Sequence, residues 1–98
     1  MNTITKLERA YLAGEGREGL SALHAAATAR WGMKINALTG NGYLLIGKEN
    51  GRVYYALQGD TYQHRAALRS AGGEFIRRAY PLGGQWRMTS DALDKLVA

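Results

Sequence analysis

The chain has 98 residues, 46% of them hydrophobic and 21% charged, which excludes a disordered tail and leaves room for one domain only. Thirteen Lys and Arg against eight Asp and Glu give a formal charge of +5, and the absence of cysteine excludes a disulfide scaffold, a thiolate metal site and a thiol nucleophile. No run of about 18 apolar residues is present to span a membrane, and Lys6, Glu8 and Arg9 interrupt the apolar block of a secretory signal, so a small, basic, cytoplasmic protein is expected.

Helix signals open the chain. Thr5-Lys6-Leu7-Glu8 has the spacing of a capping box, and Leu7 and Tyr11 at i, i+4 would share a face. Gly14-Glu15-Gly16 predicts a break, because each glycine costs about 1 kcal/mol against alanine in a helix interior. From Arg17 to Trp31 the pattern is helical again, with Leu20, Leu23, Ala27 and Trp31 on one stripe and Gly32 where a left-handed C-cap would stand. Met33 to Leu38 is expected as a short strand ended by Thr39-Gly40-Asn41-Gly42.

Tyr43 to Leu57 is the clearest hairpin. Its turn is Asn50-Gly51, a pair that tolerates the two positive φ angles of a type I′ loop. The turn sets Glu49 opposite Arg52 as a charge pair, Ile46 opposite Tyr55 and Leu44 opposite Leu57. Leu44, Ile46, Val53, Tyr55 and Leu57 then form the core face, and Tyr43, Leu45, Tyr54 and Ala56 the other.

The last third continues in the same manner. Asp60 or Thr61 is expected to cap a helix to about Ala71, stopped by Gly72-Gly73. Glu74 to Tyr80 reads as a strand, Pro81 to Gly84 as a turn and Gln85 to Met88 as the return strand. Thr89-Ser90-Asp91 opens a final helix whose apolar residues are Leu93, Leu96 and Val97. The fold class expected is α+β: a small antiparallel sheet, N-terminal helices packed on one face, and a C-terminal helix–hairpin–helix unit, all in one domain over residues 1–98.

The basic excess is concentrated. Residues 61–88 carry Arg65, Arg69, Arg77, Arg78 and Arg87 against Glu74 alone. Arginine suits bidentate contact with phosphate and stacking on bases, so these five are candidate nucleic-acid contacts. The plainer reading is a solvated basic face that aids solubility. Arg65 and Arg69 share a helix face, whereas adjacent Arg77 and Arg78 point to opposite faces of a strand. Tyr43 and Tyr54, on the ribbon face away from the aliphatic one, are candidates for stacking on single-stranded bases. Trp31 and Trp86 sit on apolar stripes and read as core anchors.

Catalytic chemistry has no support in the pattern. His24 has no second histidine or carboxylate three or four positions away. His64 with Asp60 at i−4 makes a pair without a nucleophile. No cluster has the spacing of a metal site. No glycine loop is followed by Lys-Ser/Thr, and Glu15 and Glu18 would repel a phosphate at Gly14-Glu15-Gly16. No enzyme activity, cofactor or metal is therefore expected.

The segment GDTYQHRAALRSAGGEFIRR…QWRMTSDALDKL, from Gly59 to Leu96, carries Thr61, Tyr62, Arg65, Leu68, Ala71, Gly72, Gly73, Phe75, Trp86, Leu93 and Leu96 in a helix–strand–strand–helix order. In that order it resembles the short helix–hairpin–helix module of plasmid- and phage-encoded polyvalent proteins, and distantly the HARP domain of annealing helicases. The resemblance implies a mobile-element origin and a DNA-associated setting, with Arg65 and its helix neighbours as the candidate contacts. Two functions are therefore expected. One is a non-catalytic module that binds DNA or RNA. The alternative is an inhibitor or adaptor that binds an acidic host defence complex, in the manner of anti-CRISPR proteins. Self-association as a homodimer fits either.

Overall fold

The computed structural model describes residues 3–14, 16–39, 43–59, 61–79 and 83–98. The side chains at 38, 39, 43, 78 and 79 lie outside that description. The elements in chain order are α1 (Thr3–Leu12), α2 (Gly16–Ala27), a π-helical turn (Thr28–Gly32), α3 (Met33–Thr39), β1 (Tyr43–Glu49), β2 (Arg52–Gln58), a 3₁₀ turn (Tyr62–His64), α4 (Arg65–Ser70), β3 (Glu74–Ala79), β4 (Gly83–Met88) and α5 (Ser90–Val97). The fold is α+β, with one antiparallel four-stranded sheet in the order β1-β2-β4-β3. Strand β4 lies between β2 and β3, so the chain passes through α4 to reach the far edge and then returns inward.

The break between α1 and α2 falls where expected, with Gly14 and Gly16 both at positive φ. The helix start differs. The helix α1 already runs at Thr3, so Thr5 is inside it and no capping box forms there. Glu8 instead reaches across to the sheet, where its carboxylate accepts from the Tyr55 hydroxyl at 2.7 Å.

The larger correction concerns residues 33–38. They form helix α3, not a strand, and Gly32 does not end the preceding helix. The buried residues explain this. A strand would turn Met33, Ile35 and Ala37 to one side, yet Met33 is 87% exposed and Ile35 alone is buried. Ile35 instead extends the stripe Leu23, Ala27, Trp31, which has a strict four-residue repeat. Such a repeat drifts by about 40° per step on a 3.6-residue helix. The wider π turn at 28–32 offsets that drift and keeps Trp31 and Ile35 facing the sheet.

The hairpin β1–β2 has the expected register, with Glu49↔Arg52, Ile46↔Tyr55 and Leu44↔Leu57 paired. Asn50 and Gly51 both have positive φ, as a type I′ loop requires. The charge pair at its tip is different: Glu49 accepts from Arg87 of β4 at 2.6 Å in place of Arg52. Val53, Tyr55 and Leu57 are buried on the helical face with Leu23, Ala27, Trp31, Ile35, Leu68, Trp86, Met88 and Leu93. Leu44 and Ile46 pack against them.

Helix α4 ends in a Schellman arrangement. Gly72 has φ +102°, its N–H donates to the Arg69 carbonyl at 3.0 Å, and the Gly73 N–H donates to the Leu68 carbonyl at 2.9 Å. Thr89 caps α5 as its sequence indicates, its hydroxyl accepting from the Ala92 N–H at 3.1 Å. The helix α5 is then held by the π turn and α3. Arg30 donates to both carboxylate oxygens of Asp94 at 3.0 Å, the Trp31 indole donates to the same side chain at 2.8 Å, and Lys34 donates to the Val97 carbonyl at 2.7 Å. The hydrogen bond from Arg30 holds the Asp94 carboxyl below its ordinary pKa, and the same bond raises that of Arg30. Among the described residues no helix is long and apolar enough to cross a membrane.

Candidate functional site

A cleft opens where α4 meets the β3–β4 edge of the sheet. It has a volume of about 520 Å³ and is lined by Gly59, Thr61, Tyr62, Arg65, Phe75, Gly84 and Trp86. The register places Phe75 opposite Trp86, and their ring centroids are 5.3 Å apart. Phe75 also lies across Gly84: a Cβ at that glycine would come within 3.0 Å of the ring. An aromatic ring set against a strand glycine fills the place of the missing side chain. Trp86 is 4% exposed and forms the floor, while Phe75 is 45% exposed and Tyr62 73% exposed. Thr61 does not cap the helix that follows it with its hydroxyl, and it adds a polar residue to the lining beside Arg65. The other expected cap, Asp60, lies outside the described residues.

Two arginines of α4 stand against these rings. The Arg65 guanidinium lies 4.0 Å from the Tyr62 ring centroid and donates to the Tyr62 carbonyl at 2.8 Å. The Arg69 guanidinium lies 5.7 Å from the Trp86 ring centroid. Among the described residues, neither has a carboxylate within ion-pair distance. Each such contact adds about 0.5–1 kcal/mol at an exposed site and leaves the charge in place for an incoming anion.

The position of α4 depends on Gly73. A Cβ there would meet the Leu68 carbonyl at 2.8 Å and the Met88 sulfur at 2.5 Å. The chain therefore turns tightly from α4 into β3, and this close approach brings Arg69 over Trp86.

The expected site residues divide between two faces. Arg65 and Arg69 border the cleft, and Arg77 is exposed on β3 two positions beyond Phe75. Arg87 is on the opposite face of the sheet, where Glu49 accepts from it at 2.6 Å, Gln85 accepts from it at 2.8 Å, and Tyr54 lies 4.3 Å beneath it. Tyr54 is also committed there, since its ring covers Gly47. Arg87 and Tyr54 thus form one neutralised cluster and do not join the α4 arginines. Tyr43 is in β1 and Arg78 in β3, but both side chains are outside the described residues. The expectation that Arg77 and Arg78 alternate rests on regular strand geometry, and β3 has a register irregularity between Ile76 and Ala79.

The cleft aromatics Tyr62 and Phe75 were not among the stacking candidates, and Trp86 counted only as a core residue. One signal was available: Tyr62 stands three residues before Arg65, helical spacing for a ring and a guanidinium.

The histidines have local roles or none that engages the cleft. His24 Nε2 donates to the Leu44 carbonyl of the edge strand β1 at 3.3 Å. Among the described residues no three His, Asp or Glu side chains converge as a bound metal ion would require. Comparison with known protein families, curated proteins and solved structures finds no match to this chain.

Proposed function

We propose that this protein is a non-catalytic, cytoplasmic nucleic-acid-binding module whose contact surface is the cleft between α4 and the β3–β4 edge. One observation carries the reading. Arg65 and Arg69 lie against Tyr62 and Trp86 beside the exposed ring of Phe75, with no carboxylate partner among the described residues. Guanidinium groups beside aromatic rings match the alternation of phosphate and base along a nucleic-acid strand. The net charge of +5 favours the same partner at long range. The resemblance of residues 59–96 to modules of plasmid- and phage-encoded proteins agrees with a DNA-associated setting.

Fluorescence anisotropy with labelled DNA and RNA at several salt concentrations tests the proposal. Affinity should fall as salt rises, because each neutralised phosphate releases counterions. The variant Arg65→Ala/Arg69→Ala should bind more weakly and lose about 0.7 of slope per arginine on a single strand. An unchanged slope removes this surface from consideration. Absence of binding at low salt, together with a host protein retained after nuclease treatment, would favour the inhibitor reading.

A further inference from the structure

We propose that the cleft receives one unpaired base of a single strand, with Arg65 and Arg69 holding the phosphates on either side. The inference rests on the nucleic-acid reading above and goes beyond it, because phosphate contacts alone would not distinguish a single strand from a duplex.

Three features carry it. The first is size. A cleft of about 520 Å³ is within the range of sites that enclose a small planar ligand, and too small to admit a duplex. The second is surface. Phe75 lies across Gly84 beside Trp86 and is 45% exposed, and Tyr62 stands exposed at the same cleft, so the lining offers aromatic surface for stacking. A base inside a duplex already has both faces stacked and cannot use them. The third is the placement of charge. Both guanidinium groups lie against rings of this cleft, so anion contacts border the stacking surface directly. The open-face cleft has Arg52, Arg87 and Tyr54, but it is also lined by the acids Glu49 and Glu74, and Glu49 already pairs with Arg87. The groove between α2 and β1, lined by Leu20, Ser21, His24, Ala25, Leu44, Leu45 and Ile46, has no arginine or lysine among the described residues.

The test compares a labelled pyrimidine-rich DNA strand, the same strand carrying abasic sites, and its duplex, at fixed salt. Abasic sites keep every phosphate and remove only the ring. The intact strand should bind about tenfold tighter than the abasic strand, with the same salt slope. The duplex should bind at the abasic level. Phe75→Leu should abolish the preference for the intact strand. If that variant does not fold, Tyr62→Ala serves, because its side chain is largely in solvent. Tryptophan fluorescence should be quenched by the intact strand and not by the abasic one, and Trp86→Phe should remove the quench. Equal affinity for intact and abasic strands, with salt dependence retained, overturns base insertion and leaves the nucleic-acid reading standing. No binding to any of the three overturns both.

Discussion

The two faces of the sheet hold the same chemical pair in different states. On the helical side Arg65 is stacked on Tyr62, at 4.0 Å, and on the open side Arg87 is stacked on Tyr54, at 4.3 Å. In sequence the two arginines are equivalent. In the fold, Arg87 faces Glu49 across β2 and has Gln85 on its own strand, so its charge is paired and its Nε and Nη1 each donate within the protein. The α4 arginines face rings and backbone, with no carboxylate in reach among the described residues. A basic residue contributes to recognition when its neighbours leave the charge unpaired, and those neighbours come from other elements.

The contrast is most severely broken at Gly73. The variant Gly73→Ala places a methyl group against the Leu68 carbonyl, a backbone atom that cannot swing away. A loss of about 2–3 kcal/mol in urea denaturation is expected, together with a disturbed cleft. The matching variant on the open face, Gly47→Ala, meets only the far end of the Tyr54 side chain, which can swing aside about its Cα–Cβ bond. It should cost less than half as much. Equal losses would show that the two glycines are under the same constraint.

The hydrogen bond from Tyr55 to Glu8 anchors α1 on the sheet. Its removal by Tyr55→Phe should cost about 1.5 kcal/mol, as for a partly buried bond to a charged acceptor. The hydroxyl pKa is raised by burial and then by this bond. A raised pKa means that the stabilisation is full below the ordinary tyrosine range and is lost as pH rises through the folded value. Alkaline unfolding should therefore be shifted in Tyr55→Phe.

A smaller effect sharpens the comparison directly. Glu49→Gln releases Arg87 on the open face and should change stability by under about 1 kcal/mol, since the carboxylate is largely in solvent. Because Arg87 is on the far side from the cleft, single-strand affinity should stay within about twofold. A clear rise in affinity and salt slope would mean that a strand wraps both faces.

The smallest change is expected at Asp94. Its pKa is lowered first by the hydrogen bond from Arg30, so its contribution is present above the ordinary aspartate value and lost as pH falls through the folded value. Arg30 and Asp94 are both more than two-fifths exposed, and the effect is correspondingly weak. Asp94→Asn keeps an acceptor for the Trp31 indole and should flatten the acid limb of the stability profile, followed by circular dichroism.

Local signals were legible wherever the physics is local. The Asn50-Gly51 turn determined a whole register, because side chains alternate with period two and a turn leaves no freedom to slip. The Thr89 cap, the Gly72-Gly73 stop and the break at Gly14 were equally readable. Residues 33–38 were misread because Met33, Ile35 and Ala37 alternate as a strand would. Only packing reveals that Ile35 continues a helical stripe through a π turn. The site was half legible. Arg65 and Arg69 stood out as bases on one helix face, with Tyr62 three residues before Arg65, but Phe75 and Trp86 come from β3 and β4.

The amino-acid sequence by itself determined the α+β class, the central hairpin and its core face, and a surplus of arginine in the last third. These follow from turn geometry, periodicity and charge, which act over a few residues. Tertiary structure alone decided the strand order, the division of the arginines between two faces, and the meeting of Phe75, Trp86 and Tyr62 under the α4 arginines. Insertion of β4 between β2 and β3 is central to this, because it places Arg87 within reach of Glu49 and Trp86 beside Phe75 and Arg69.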